Sequence, residues 1–367
     1  MSSEPVRIGV LGLGSVFEKY GRLLAGLERE RSAKVVAVYD PDAARCGTEA
    51  ARFGITRRDT SAEGLIGRDD VDAVLVLTNM QSHGRLATAA YAAGKHVLVE
   101  KPMATTLDEA AELVRLSRSS DRTLVCAPHV LLSPTYRQMH DRLRAGAIGE
   151  VKLARALYGW AGPWWGRWFY QPGGGALFDL GIYNITTLAG FLGPVRRVTA
   201  LVGTAIRERV VDGVLTCVEA DDNAQVLLDF GHETYASVTT GFTIQKYGRA
   251  PAVELYGLGG TMNMLGDDWA PRGFEQWRND AGCWEVFDET APGWPWADGV
   301  NHLVDCIRTG RPSLTRPEHA FHALEVILAA VASAEQGRAV DVASDFPAPV
   351  YPDEAPRPGA RSEHDHS

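Results

Sequence analysis

The stretch Val6-Arg7-Ile8-Gly9-Val10-Leu11-Gly12-Leu13-Gly14 decides the fold. Its short apolar run reads as a buried strand, and Gly12-x-Gly14 follows at once. An amphipathic pattern over residues 16–27 then predicts a helix. In such a strand–turn–helix the first glycine makes the tight turn and the second lets backbone approach a pyrophosphate. The helix start supplies free N–H groups and a partial positive charge. Gly12, Gly14, Ser15 and Val16 are therefore the expected phosphate cradle. The third glycine of this fingerprint would fall at Phe17, so helix and strand are expected to pack less closely there.

Working outward, residues 34–39 form a second β-branched run closed by Asp40. A carboxylate there can accept hydrogen bonds from adenosine ribose hydroxyls and repels a 2′-phosphate, which favours NAD. Arg45 nearby softens that preference and keeps NADP open. A helix is expected over 42–53, with Asp40 as its alternative cap. Strands are expected over 71–77, 95–100 and 123–127, with helices over 83–93 and 106–119 between them. Continuous apolar strands alternating with helices predict a doubly wound parallel sheet over residues 1–128. Beyond that point come helices at 134–145 and 176–192, and a strand near Val151. Runs at 195–203, 214–220, 223–230, 234–242 and 251–256, separated by short turns, predict a mainly antiparallel sheet. Helices over 296–308 and 317–335 complete an α/β domain assigned to 129–350. Residues 351–367 read as a disordered tail in which His364 and His366 are solvated.

The 367 residues carry a net charge of −9, too acidic for a nucleic-acid backbone as partner. Five cysteines lie scattered without a C-x-x-C pair, so neither a disulfide framework nor a metal site is expected. No apolar run approaches the roughly 20 residues that cross a bilayer, and no room for a leader precedes Val6. A cytoplasmic protein is expected.

The chemistry sits at Glu100-Lys101-Pro102. A strand ending there puts a lysine at the carboxyl edge of the parallel sheet, where ligands bind. Pro102 forbids helix at Lys101 and can fix an unusual turn or a cis bond. That lysine could exchange a proton with a substrate hydroxyl while a hydride leaves the carbon.

From about Arg7 to Val342 the chain resembles the Gfo/Idh/MocA family of oxidoreductases. The resemblance rests on Glu100-Lys101-Pro102, Ala145-Gly146-x-x-Gly149-Glu150-Val151, the run Gly173–Gly181, Gly310-Arg311-Pro312 and Ala323-Leu324-Glu325. It implies a Rossmann domain followed by an α/β domain with an open sheet that forms a homodimer or homotetramer interface. It also implies NAD(P)-dependent chemistry on sugars, glycosides or cyclitols. Residue by residue, Lys101 matches the catalytic lysine, Glu100 a neighbour of the nicotinamide, and Asp179 the acid after the glycine triplet. Tyr183 stands where inositol-dehydrogenase-like members have histidine, and so resembles the tyrosine-type members whose phenol is a proton donor. Four residues apart on a helix, Asp179 and Tyr183 share a face. An ammonium beside a phenol, whose ordinary pKa is about 10, would favour its ionised form.

The family's Thr-Pro, followed by an Asn and later a His, is replaced here by Thr78-Asn79, both expected at the cofactor together with His83, at a helix start. The usual Arg-Phe pair is replaced by His129-Val130 and the residues that follow, which argues against phosphorylated or strongly acidic substrates. His129 is then a candidate substrate contact and an alternative acid or base. Trp165 and Trp168, within the aromatic run before the glycine triplet, suit stacking on a sugar ring. Two other readings stay open: an NAD-using enzyme that cleaves glycosides by transient oxidation and elimination, and a non-catalytic dinucleotide sensor.

Overall fold

The computed structural model describes residues 4–245, 250–288, 290–291 and 293–351. The phosphate-loop strand is β1 (Val6–Leu11), followed by α1 (Phe17–Arg29), β2 (Ala33–Tyr39), α2 (Ala43–Arg52) and α3 (Ala62–Ile66). Next come β3 (Ala73–Val76), α4 (Met80–Ala92), β4 (His96–Val99), α5 (Leu107–Arg118) and β5 (Leu124–Cys126). These strands form a parallel sheet in the order β2-β1-β3-β4-β5. The order reverses between β1 and β3, and the crevice beyond the carboxyl ends there is where such sheets take ligands. Β3 and β4 are buried at every residue, as helices on both faces require.

The second half begins with α6 (Pro134–Arg144), β6 (Val151–Gly159) and α7 (Ile182–Leu192). It continues with β7 (Arg197–Gly203), β8 (Glu208–Val211), β9 (Val214–Cys217), β10 (Asn223–Asp229) and β11 (Tyr235–Gly241). The last strands are β12 (Val253–Gly257), β13 (Gly260–Asp267), β14 (Ala270–Arg278), β15 (Cys283–Asp288) and β16 (Val340–Asp341). Nine of them form one sheet, β15-β14-β13-β12-β6-β11-β10-β7-β16, antiparallel except where β6 meets β11. Β8 and β9 make a separate hairpin. The expected strands appear with ends shifted by a few residues. Β13 to β15 were not anticipated: Pro271, Gly273 and the Gly266-Asp267-Asp268 turn read as loop by composition.

Two helices close the chain, α8 (Gly299–Thr309) and α9 (Pro317–Gln336). Α8 does not join the second domain to which the sequence assigned it. Val300, Leu303 and Val304 pack with Ile8, Tyr20, Leu24 and Leu98, so it covers the first sheet beside α1. The other face of that sheet shares a continuous core with α7, α9 and the inner face of the large sheet. Tyr351 is also not part of a free tail, because it is buried and its hydroxyl donates to the Leu131 carbonyl at 2.9 Å. The rest of the expected tail, with His364 and His366, lies outside the described residues.

The five cysteines are unpaired, and among the described residues no three His, Cys, Asp or Glu side chains could hold a metal. No described helix is long and apolar enough to cross a membrane.

Candidate active site

The phosphate loop has the conformation its glycines predict. Gly12 adopts φ +93°, and a Cβ there would lie 2.6 Å from the Leu77 carbonyl oxygen. A Cβ at Gly14 would meet nothing within 4 Å, so the space over it is open. Val16 stands at the start of α1, and no side chain caps that end. An uncapped helix start under open space fits the phosphates of a dinucleotide. Ser15 is exposed beside it. Phe17, in the third glycine's place, is buried edge-on against Phe53 at 5.0 Å.

Asp40 ends β2 beside this loop. Its Oδ2 accepts from Leu13 N at 2.8 Å and its Oδ1 from Asp42 N at 2.9 Å, with Arg45 Nη1 at 3.8 Å. It therefore braces the loop, while the helix cap itself falls to Asp42, which accepts from Arg45 N. Asn79 starts α4 without using its side chain as a cap, and Thr78 precedes it at the end of β3. His83 lies in the first turn of α4, at the helix start where it was expected. It is 2% exposed, with Nδ1 2.8 Å from the Pro102 carbonyl and Nε2 3.0 Å from that of Thr78. Both partners are carbonyl acceptors and burial lowers the ring's pKa, so the neutral ring donates to one of the two turns.

At the end of β4, the Lys101–Pro102 peptide is cis. Lys101 Nζ donates to Asp179 Oδ1 at 2.6 Å and to the Asp179 carbonyl at 2.7 Å. The two side chains are only 13% and 12% exposed, so the ion pair is largely sheltered from water. Nζ also lies 5.0 Å from the centre of the Tyr183 ring. Asp179 occupies one π-helical turn, Leu177–Gly181, just ahead of α7. Wide turns of this kind recur at functional sites. Asp221 holds the turn in place, accepting from Leu177 N at 2.9 Å, and its burial pushes its carboxyl up to about 7.

Lys101, Asp179 and Tyr183 thus converge, but the electrostatics of the phenol reverse the sequence expectation. Burial raises the Tyr183 hydroxyl well above 10, and the charges of Glu100, Asp179 and Asp268 add to it. The Lys101 ammonium is paired with Asp179 and sits over the ring face. Tyr183 is consequently held in its protonated form and can donate a hydrogen bond.

His129 is buried behind Glu100. Its Nε2 lies 3.0 Å from Tyr20 Oη, and burial lowers its pKa to about 3. The ring is thereby held neutral at neutral pH. In the aromatic loop, Trp168 stacks on Phe169 at 3.7 Å, and Trp165 is half-buried with its indole Nε1 unpartnered among the described residues. The loop reaches the cofactor side through Gln81, whose Nε2 donates to the Trp168 carbonyl at 3.0 Å.

Sequence reasoning missed the wall opposite. Tyr158 stands 6.0 Å from Tyr183 and 6.4 Å from Trp269, Trp269 is 6.5 Å from Trp296, and Trp296 is 5.9 Å from Tyr20. Beneath it, Asp268 accepts from Asn184 Nδ2 at 2.7 Å, and burial raises that carboxyl to about 7. The one local signal was the Trp294-Pro295-Trp296 triplet. The rest come together only through the β13–β14 turn, in a stretch to which the sequence assigns no element.

The chain is similar to known oxidoreductases over both of its halves. The profile of an oxidoreductase family with an NAD-binding Rossmann fold matches residues 6–127, and that of the GFO/IDH/MocA C-terminal domain matches 136–263. The dTDP-3,4-didehydro-2,6-dideoxy-alpha-D-glucose 3-reductase of Streptomyces antibioticus is 36% identical over 196 residues, covering 53% of this chain and 59% of that protein. The 1,5-anhydro-D-fructose reductase of Ensifer adhaerens is 31% identical over 247 residues, covering 65% of this chain and 72% of that protein. The crystal structure of an NAD binding oxidoreductase from Klebsiella pneumoniae superposes with a TM-score of 0.81 at 24% identity, covering 94% of this chain and all of that one.

Proposed function

Because this chain belongs to the GFO/IDH/MocA family of NAD-binding oxidoreductases, we propose that it moves a hydride between nicotinamide and a secondary alcohol of a neutral sugar, glycoside or cyclitol. The observation that carries this reading is the sheltered Lys101–Asp179 pair under Tyr183, at the carboxyl edge of the NAD-binding sheet. Bound NAD supplies or takes up the hydride at nicotinamide C4.

Gly12, Gly14, Ser15 and Val16 receive the phosphates, Asp40 a ribose, and Thr78, Asn79 and Glu100 the nicotinamide end. Lys101 Nζ exchanges the proton with the reacting oxygen, and Asp179 holds that nitrogen in place. Asp179 Oδ2 accepts no hydrogen bond from the described residues, so it is free to take a substrate hydroxyl. Tyr183 donates its phenol proton as a hydrogen bond to the substrate, as in the tyrosine-type members. Trp165 and Trp168 offer flat faces for the sugar ring. A neutral ring is favoured because His129 and Val130 stand where the family has Arg-Phe.

A panel of sugars and polyols, each offered with NAD and NADP and followed at the NADH absorbance band, tests this reading. The expected result is turnover with a neutral substrate and a preference for NAD, since Asp40 repels a 2′-phosphate. Glycoside cleavage with no net NADH would point to the oxidation–elimination route instead.

We further infer that copies of the chain meet through the open face of the large sheet as a dimer or tetramer. Leu153, Leu201, Leu227, Tyr235 and Tyr256 lie exposed across five strands of it, an apolar area of the kind that marks interfaces. Light scattering should give a dimer or tetramer mass, and Leu227→Lys should lower it. A monomeric wild type would contradict this.

A further inference from the structure

Tyr20 lies one turn into α1, the helix whose start forms the phosphate cradle, and it is fully buried. Its Oη donates to Glu100 Oε1 at 2.8 Å and stands 3.0 Å from His129 Nε2. A carboxylate only accepts, so the single phenol proton is committed to Glu100. The contact with His129 is then an Nε2–H donating to the phenol oxygen, which leaves Nδ1 bare. Nδ1 indeed has no partner among the described residues. The ring is clamped from behind by the start of α8, where a Cβ at Gly299 would run into it. Trp296 closes on Tyr20 edge-on at 5.9 Å. On the other side, Glu100 Oε2 accepts the backbone N–H of Lys101 at 3.0 Å. A single chain of hydrogen bonds therefore runs from His129 through Tyr20 and Glu100 to the backbone of the lysine. Buried networks with each proton assigned fix geometry more than they add stability.

We propose that Tyr20 is a positioning residue of the dinucleotide site. Its hydroxyl, held between Glu100 and His129, sets the Glu100 carboxylate and so ties the seating of the nicotinamide end to the helix that takes the phosphates. This rests on the assignment of Glu100 to the nicotinamide end.

The test is a double-mutant cycle read as the Kd for NADH, titrated by the fluorescence of the dinucleotide on the full chain. Tyr20→Phe removes only the hydroxyl and should weaken NADH about tenfold, as expected for losing a hydrogen bond to a charged group. Glu100→Gln should weaken it comparably. The double variant should be no weaker than the worse single, because both losses pass through one carboxylate. An NADH Kd within about twofold of wild type for Tyr20→Phe, or losses that multiply in the double variant, would overturn the proposal. So would a lowered thermal midpoint with unchanged affinity, the signature of mere packing. If Tyr20→Phe does not fold, His129→Gln carries the same cycle from the far side of the hydroxyl, with about a threefold loss expected and the same criteria. Because the readout is binding, a sugar panel without turnover leaves this test standing.

Discussion

Replacing Lys101 by methionine should lower kcat by about 10²- to 10⁴-fold, the usual range for removing a proton-transferring group. NADH affinity should stay within about twofold, because the phosphate cradle and Asp40 lie on other loops and methionine keeps most of the side-chain volume. The structure adds a second consequence. Asp179 Oδ1 loses the ammonium 2.6 Å away, in a site where the carboxylate is only 12% exposed. A sheltered carboxylate without its counter-charge is costly, so the variant should also unfold at lower denaturant. Unchanged turnover would remove Lys101 from the chemistry, and Lys101 would then be one half of a structural ion pair.

Asp179→Asn attacks the same pair from its other end. The ammonium keeps the Asp179 carbonyl at 2.7 Å but loses the neighbouring negative charge. Breaking a buried pair by removing one partner costs about 3–5 kcal/mol, and the residual exposure of this one places it toward the lower end. A kcat loss of about 10²-fold should accompany it, since the proton-carrying nitrogen is no longer held on the substrate side. The Lys101→Met/Asp179→Asn double variant should be more stable than the sum of the single losses predicts, because no charge is left unpaired. Urea unfolding of the four proteins measures this directly. Strict additivity would mean that the two groups do not act as a pair.

The fold was legible where the information is local. Val6 to Gly14 specify a strand, a tight turn and an uncapped helix start within a few residues, and the structure repeats that reading nearly residue by residue. Beyond Gly257, a polar turn and an edge strand whose Trp284 and Val286 stay exposed carry little period-two signal, so β13 to β15 went unread. At the site, Lys101, Asp179 and Tyr183 were each picked out from the sequence. Their pairing joins residues 78 apart, and spacing alone does not show it. The environment of the Tyr183 hydroxyl is likewise set by the fold, which buries it. Burial raises its pKa most, and Glu100, Asp179 and Asp268, carboxylates brought in by separate elements, add to it. For His83 and His129 the sequence leaves structural and functional roles side by side, because a buried histidine and a catalytic one are the same letter. Only the position of each ring nitrogen separates them.

Hydride transfer itself is tested most directly by isotope. A sugar that turns over in the panel, deuterated at its reacting carbinol carbon, is incubated with NAD and the protein, and the NADH is analysed by mass spectrometry and proton NMR. Direct transfer predicts deuterium at C4 of the nicotinamide, on one face only and undiluted by solvent protons. NADH formed without deuterium, or deuterium lost to water, would contradict the proposed chemistry at Lys101, Asp179 and Tyr183.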